Sequence, residues 1–230
     1  MEERKMAWVP LESNPEVMTK LCHKLGVPTK WNIVDVYGLE PDLLAILTKP
    51  VLAMILLYPL SDQEKDRGLK EDSETRESST VSPDVYFLKQ FISNACGTIA
   101  LIHSLANNAE KLELEDGFLK SFIEETKDLS PFERGDRLMQ AGDIADTHKE
   151  LAQEGQTEAP NENARVYHHF VAFIEKDGHI YELDGRRDGP INHGVSSPST
   201  FLEDAARVCK EYMQRNPDEM GFTMVALTPD

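Results

Sequence analysis

The sequence predicts a single α/β or α+β domain built on a mixed or antiparallel sheet, and three observations predict it. The 230 residues suit one ordinary domain, and 40% of them are apolar, enough for a sizeable core. The last third reads as strand, hairpin, strand, helix and strand, with Asp177-Gly178 supplying the hairpin turn. Earlier in the chain, residues 51–58 form an unbroken apolar run of strand length. By contrast, Ile99, Ile102, His103 and Ala106 recur at helical spacing.

In chain order, Ser13-Asn14-Pro15-Glu16 reads as a helix start, with a polar cap ahead of a proline in the first turn. That helix runs through Val17, Leu21 and Leu25 and stops at Gly26. Residues 31–37 alternate as a strand, 41–47 read as a short helix, and 51–58 as a central strand. Residues 61–82 are charged, Ser-rich and nearly free of apolar side chains, which predicts a flexible surface loop. A helix is expected over 83–107, with a break near Ser93-Asn94, and further helices near 116–127 and 131–139. Residues 142–164 are expected to be a second polar loop. Strands follow over 166–174 and 180–183, turns at Asp184-Gly185 and Asp188-Gly189, a helix over 199–215 and a last strand over 222–227.

Composition narrows the function. Asp and Glu number 41 against 24 Lys and Arg, a formal net charge of -17, which repels phosphate backbones and makes nucleic acid an improbable partner. Such a surface keeps a protein soluble and also draws in basic partners. No apolar run approaches the roughly 18 residues of a membrane span, and no signal peptide is visible, so neither a membrane nor export is expected. Three cysteines, Cys22, Cys96 and Cys209, cannot all pair; reduced thiols in the cytoplasm, with the nucleus as a further place, are expected. There is no Cys-x-x-Cys and no His-Glu-x-x-His, so neither a metal nor another cofactor is expected.

Cys96 carries the first chemical signal. It follows Ser93-Asn94-Ala95 and precedes an apolar helical run, which puts the thiol near a helix N-terminus, where the dipole favours thiolate. Gly97 would allow close approach of a substrate backbone. A buried structural cysteine is the commoner role, and Cys22 and Cys209, inside amphipathic helices, are read that way. A cysteine nucleophile needs a base and the base an orienting group. His23, His103 and His148 have no acid at a useful spacing. If Asp177-Gly178 is a two-residue turn, Lys176 opposes His179, Val171 opposes Asp184, and His169 shares a face with both. Asp184 is then the diagonal neighbour of His169, whereas His168 points away; a bulge or a longer turn would reverse that choice. Each also has a plain structural role: a hydrogen-bonded strand histidine, a turn aspartate. Gln90, six residues before Cys96, carries an amide able to donate to an oxyanion, although most helix glutamines simply face water.

Gln90-Phe91-Ile92-Ser93-Asn94-Ala95-Cys96-Gly97-Thr98 resembles the nucleophile motif of the ubiquitin carboxyl-terminal hydrolases. Glu154-Gly155-Gln156-Thr157-Glu158-Ala159-Pro160 and Tyr181-Glu182-Leu183-Asp184-Gly185-Arg186 resemble two further motifs of that family. The likeness spans nearly the whole chain, from Trp8 to Phe222, and is greatest to the short, single-domain isozymes. It implies one catalytic domain with a papain-like core, a central antiparallel sheet flanked by helices, and a knotted backbone. Cys96 is the implied nucleophile, His169 the general base and acid, Asp184 its orienter and Gln90 the side-chain donor of the oxyanion hole. An apolar residue is usual in the family where His168 stands.

The implied partner is ubiquitin or a close ubiquitin-like modifier, bound by a monomer. Its basic tail, ending Leu-Arg-Gly-Gly, would meet Pro10, Leu11, Glu12, Ser13, Asn14 and Pro15 on one side. The loop Ala152, Gln153, Glu154, Gly155, Gln156, Thr157, Glu158 and Ala159 would flank it, with Glu219 beyond and Asp35 and Glu16 as weaker candidates. Residues 142–164 resemble the family's crossover loop over the active site, which would admit only small or unfolded leaving groups. Two other readings stay open: a ubiquitin-binding module with weak or no catalysis, and a cysteine hydrolase of unrelated peptides.

Overall fold

The computed structural model describes residues 6–61, 81–157, 160–162, 166–215 and 217–230. The expected loop over 61–82 therefore lies almost wholly outside the described residues, as do Glu158 and Ala159. The first half holds helix α1 (Pro15–Lys24), strand β1 (Trp31–Asp35), helix α2 (Pro41–Leu44) and strand β2 (Ala53–Pro59). Five helices follow: α3 (Cys96–Asn107), α4 (Ala109–Leu112), α5 (Phe118–Thr126), α6 (Pro131–Met139) and α7 (Gly142–Leu151). The last third is β3 (His168–Lys176), β4 (His179–Leu183), β5 (Ile191–Val195), α8 (Phe201–Arg215) and β6 (Thr223–Pro229).

The strands form one sheet in the order β1-β6-β2-β3-β4-β5, each pair antiparallel. Alternation along β2 serves two cores. Ala53 and Ile55 face Leu21 of α1 and Ile99 of α3, whereas Met54, Leu56 and Tyr58 face Ala205, Val208 and Cys209 of α8. Helices therefore cover both faces of the sheet.

Local chemistry explains the element ends. The Asn14 side chain accepts hydrogen bonds from the backbone N–H groups of Glu16 and Val17, Pro15 takes the first turn, and Gly26 ends the run at φ +103°. At α6, Ser130 and Glu133 form a capping box. The hairpin register is as expected: Lys176 opposes His179, and the pairing continues to Ala172 opposite Leu183.

Three expectations are corrected. The helix expected over 83–107 begins only at Cys96. Val85, Tyr86, Phe87 and Leu88 are all buried, and the Asn107 side chain rather than a helical ladder satisfies the Tyr86 N–H and carbonyl, at 2.8 Å each. This stretch instead bonds to distant chain: Lys89 N–H to the Pro131 carbonyl at 2.9 Å and Gln90 N–H to that of Gly185 at 2.7 Å. The second is the polar loop over 142–164, whose first ten residues form α7, with Ile144, His148 and Leu151 buried along one stripe. The third is β5, a half-exposed edge strand that was not anticipated.

Candidate active site

Cys96 is the first residue of α3, and Ala95 ahead of it provides no side-chain cap. The first intrahelical bond runs from Ile99 N–H to the Ala95 carbonyl at 3.0 Å. The N–H groups of residues 96–98 therefore precede the helical ladder, a natural site for negative charge. Gly97 also has a packing role. A methyl group there would press on Leu11 and the Phe170 ring at 3.1–3.2 Å, so that space is filled by the protein's own core.

His169 and Asp184 come together from the ends of β3 and β4. His169 Nε2–H donates to Asp184 Oδ1 at 2.6 Å, and the same oxygen accepts the Arg186 N–H at 2.8 Å. His169 is fully buried and Asp184 nearly so. His168, opposite Pro59 on β2, is exposed. Burial favours protonated Asp184, but the charge and hydrogen bond of His169, with Arg186, hold the carboxyl below its ordinary range. For His169 burial again opposes the charge, and Asp184 with Cys96 raises the imidazole to about 9.

The thiol answers in kind. Burial alone would push Cys96 up, yet hydrogen bonding and charge from His169, the Phe170 backbone and the Arg186 charge bring it below the usual thiol value. The thiol–imidazole contact is looser than a formed hydrogen bond, since His169 Nδ1 holds none among the described residues, but each group shifts the other. The other two cysteines behave oppositely. Burial pushes Cys22 up to about 12, and burial with the charge of Glu182 pushes Cys209 up as well.

Gln90 reaches this site from the irregular segment rather than from a helix. Its Nε2 donates to the Ile92 carbonyl at 2.9 Å, the carbonyl that also accepts the Ala95 N–H. One amide hydrogen is thus committed next to Cys96 and the second is available. Gly185 packs against Gln90 so closely that a methyl would lie 2.9 Å from its Cβ.

The expected tail-binding residues have mixed placements. Leu11 is buried on α3, so only its backbone can meet a substrate; Pro10 is half-buried, and Asn14 and Pro15 cap α1. Ser13 Oγ accepts from the Thr223 hydroxyl at 2.8 Å. Glu12 is engaged within the protein: its carboxylate accepts the Gln156 N–H at 2.7 Å and the Thr157 hydroxyl at 3.0 Å, and Gly155 abuts it. This ties the N-terminal strip to the loop after α7, where Ala152 is buried and Gln153 and Glu154 are exposed. Glu154 pairs with Lys20 at 3.0 Å, Glu16 pairs with the same lysine, and Asp35 and Glu219 are exposed. A pocket lined by Gln153, Gly155, Thr157 and Glu162 follows the loop after α7 and meets the N-terminal segment at Val9. Asn94 donates to the Glu162 carbonyl at 2.9 Å, which brings the loop over residues just before Cys96.

Sequence reasoning missed the surroundings of the pair. Arg186 was visible only as part of a motif, yet its charge reaches both Cys96 and Asp184. Glu182, two residues before Asp184, is a buried carboxylate that accepts from His193 at 2.8 Å and Tyr212 at 2.7 Å. The Tyr58 ring meets the His169 ring edge-on at 5.9 Å. The alternating spacing of Glu182 and Asp184 on one strand was the signal for that shared face.

The described residues contain no cluster of metal-ligating side chains and no helix long and apolar enough to cross a membrane. The thiol, imidazole and carboxylate lie together in the arrangement that nucleophilic acyl chemistry uses. A family model described as "Ubiquitin carboxyl-terminal hydrolase, family 1" matches residues 8–214. The chain is 50% identical over 224 residues to a ubiquitin carboxyl-terminal hydrolase of Drosophila melanogaster, covering 97% of this chain and 98% of that one. It is 46% identical over 219 residues to isozyme L1 of Rattus norvegicus, covering 95% and 96%. The Trichinella spiralis UCH37 catalytic domain, solved bound to ubiquitin vinyl methyl ester, superposes with a TM-score of 0.76 at 26% identity, covering 97% of this chain and 95% of that one. Motifs, antiparallel sheet and near-full-length identity agree: the chain belongs to ubiquitin carboxyl-terminal hydrolase family 1.

Proposed function

We propose that the protein cleaves small or unfolded adducts from the C-terminal glycine of ubiquitin, or of a close ubiquitin-like modifier, through a Cys96 thioester. The observation that carries this reading is the His169–Asp184 hydrogen bond of 2.6 Å beside a Cys96 thiol held below its ordinary value. Cys96 attacks the glycine carbonyl. The developing oxyanion takes the Cys96 N–H and the second amide hydrogen of Gln90. His169, held by Asp184, protonates the leaving amine or thiol and then takes a proton from the water that hydrolyses the thioester.

Residues 10–15 and the loop after α7, joined through Glu12, receive the basic tail, and the exposed acids Glu154 and Glu219 supply negative charge for its arginine. The loop tied to Asn94 restricts the leaving group to what can thread beneath it. Three free cysteines suit a reducing compartment, and the cytoplasm is the proposed place of action, as a monomer.

The test is release of a fluorophore amide from the C-terminus of ubiquitin, with Cys96→Ala alongside. Rapid release by the wild type and none by the variant is the expected result. Release unaffected by the substitution would remove Cys96 from its role. Binding of ubiquitin without release by either protein would make the chain a binding module.

A further inference from the structure

His148 lies on α7, outside the triad, and is fully buried. Its ring bridges two elements. Nε2 lies 2.7 Å from the Val9 carbonyl, and Nδ1 lies 2.7 Å from Thr98 Oγ1. A carbonyl only accepts, so Nε2 carries the proton of the neutral ring and Nδ1 accepts from the Thr98 hydroxyl. Burial pushes this histidine down and keeps it neutral. The Trp8 ring packs on it with centroids 4.6 Å apart.

Both partners border the chemistry. Val9 immediately precedes the strip over residues 10–15, and Thr98 is the third residue of α3, two after Cys96. Upstream, the strip is pinned by Trp8 N–H to the Ser93 carbonyl at 2.9 Å, and downstream by Glu12 to the loop. Moreover α7 runs straight into the loop that, together with Val9, lines the pocket beside the strip.

We propose that His148 is a positioning residue for substrate: by holding Val9 and Thr98 on the two nitrogens of one ring, it keeps the tail-binding strip ordered against α3 before the tail arrives. This rests on reading residues 10–15 as the strip that receives the tail. The ring touches no reacting atom, so its contribution is to ground-state and transition-state binding alike, and loss of it raises KM while sparing kcat.

The test uses His148→Leu, which removes both bonds, His148→Gln, which keeps one polar arm, and Thr98→Val, which removes the hydroxyl alone. KM for the ubiquitin amide is expected to rise about tenfold in His148→Leu and about threefold in the other two, with kcat within about twofold. Alkylation of Cys96 by iodoacetamide should keep its wild-type rate. Amide hydrogen exchange over residues 8–14 should quicken while β2 and β3 stay protected. An unchanged KM in folded His148→Gln and Thr98→Val, or a fall in kcat at constant KM, would overturn the proposal. Should His148→Leu fail to fold, the other two variants decide. A wild-type protein inert towards ubiquitin would overturn the hydrolase reading instead, and the exchange measurement, which needs no substrate, still decides whether the ring holds the strip.

Discussion

Helices α6 and α3 begin in opposite ways. At α6 the Ser130 hydroxyl accepts the Glu133 N–H, and the Glu133 carboxylate accepts the Ser130 N–H at 2.8 Å, so the orphan donors of the first turn are spent. At α3 the cap position is Ala95, which offers nothing, and the donors of residues 96–98 stay ahead of the ladder, beside a buried thiol. A cap is worth about 1 kcal/mol. Its absence at α3 costs stability and leaves free the dipole and N–H groups that a thiolate and an oxyanion need. The same device is present at the start of one helix and absent beside the nucleophile in the other.

The sharpest way to break this contrast is to remove the charge that sustains the thiolate. Asp184→Asn should lower kcat by about 10³-fold or more, since an unsupported imidazole adopts the wrong tautomer. Without the carboxylate His169 loses its proton more readily, less positive charge faces Cys96, and the thiol titrates higher. Iodoacetamide alkylation followed against pH should show that upward movement. Next in size, Gln90→Ala should lower kcat by about 10²-fold with little change in KM, because one oxyanion donor is lost and the backbone donors remain; steady-state kinetics on the ubiquitin amide measures it.

Smaller again is the dependence of folding on pH. His169 is raised to about 9, so its stabilisation is complete below its ordinary value of 6.5 and is lost as pH rises through 9. Burial pushes His103 down to about 4 and also lowers His148, so stability falls as pH drops below 6.5 and the unfolded chain takes up their protons. In Cys96→Ala protein, where the thiol no longer titrates, thermal melts should peak near that value. Adding Asp184→Asn should flatten the alkaline side and also remove the loss of stability that Asp184 itself causes below pH 3.8. The smallest effect belongs to the capped helix: Ser130→Ala should cost about 1 kcal/mol in urea unfolding and leave kcat/KM untouched.

Much of the catalytic arrangement was legible because it depends on period and register. A two-residue turn at Asp177-Gly178 is enough to put His169 and Asp184 on one face and His168 on the other, and the observed pairing keeps that register. The capped helix start at Asn14 was equally readable. What stayed hidden had no local period. The segment before Cys96 is held by bonds to Pro131 and Gly185, more than forty and ninety residues away, which no window of sequence contains. Helix α7 escaped because its buried stripe is Ile144, His148 and Leu151, and the middle member looks polar until Val9 and Thr98 are seen to satisfy it. The edge strand β5 escaped because it is half-exposed and carries Gly194 at φ +104°.

The last strand has a consequence for how the molecule is made. β6 lies between β1 and β2, with Val225 and Leu227 in one core and Met224 and Ala226 in the other. Among the described strands β1 has no other neighbour. During synthesis residues 223–229 follow all the other described strands out of the ribosome, so until they emerge the nascent chain carries two unpaired strand edges where this seam will close. A chain interrupted before β6 would hold β1 and β2 without the strand that joins them, each with an edge open to pairing with another chain.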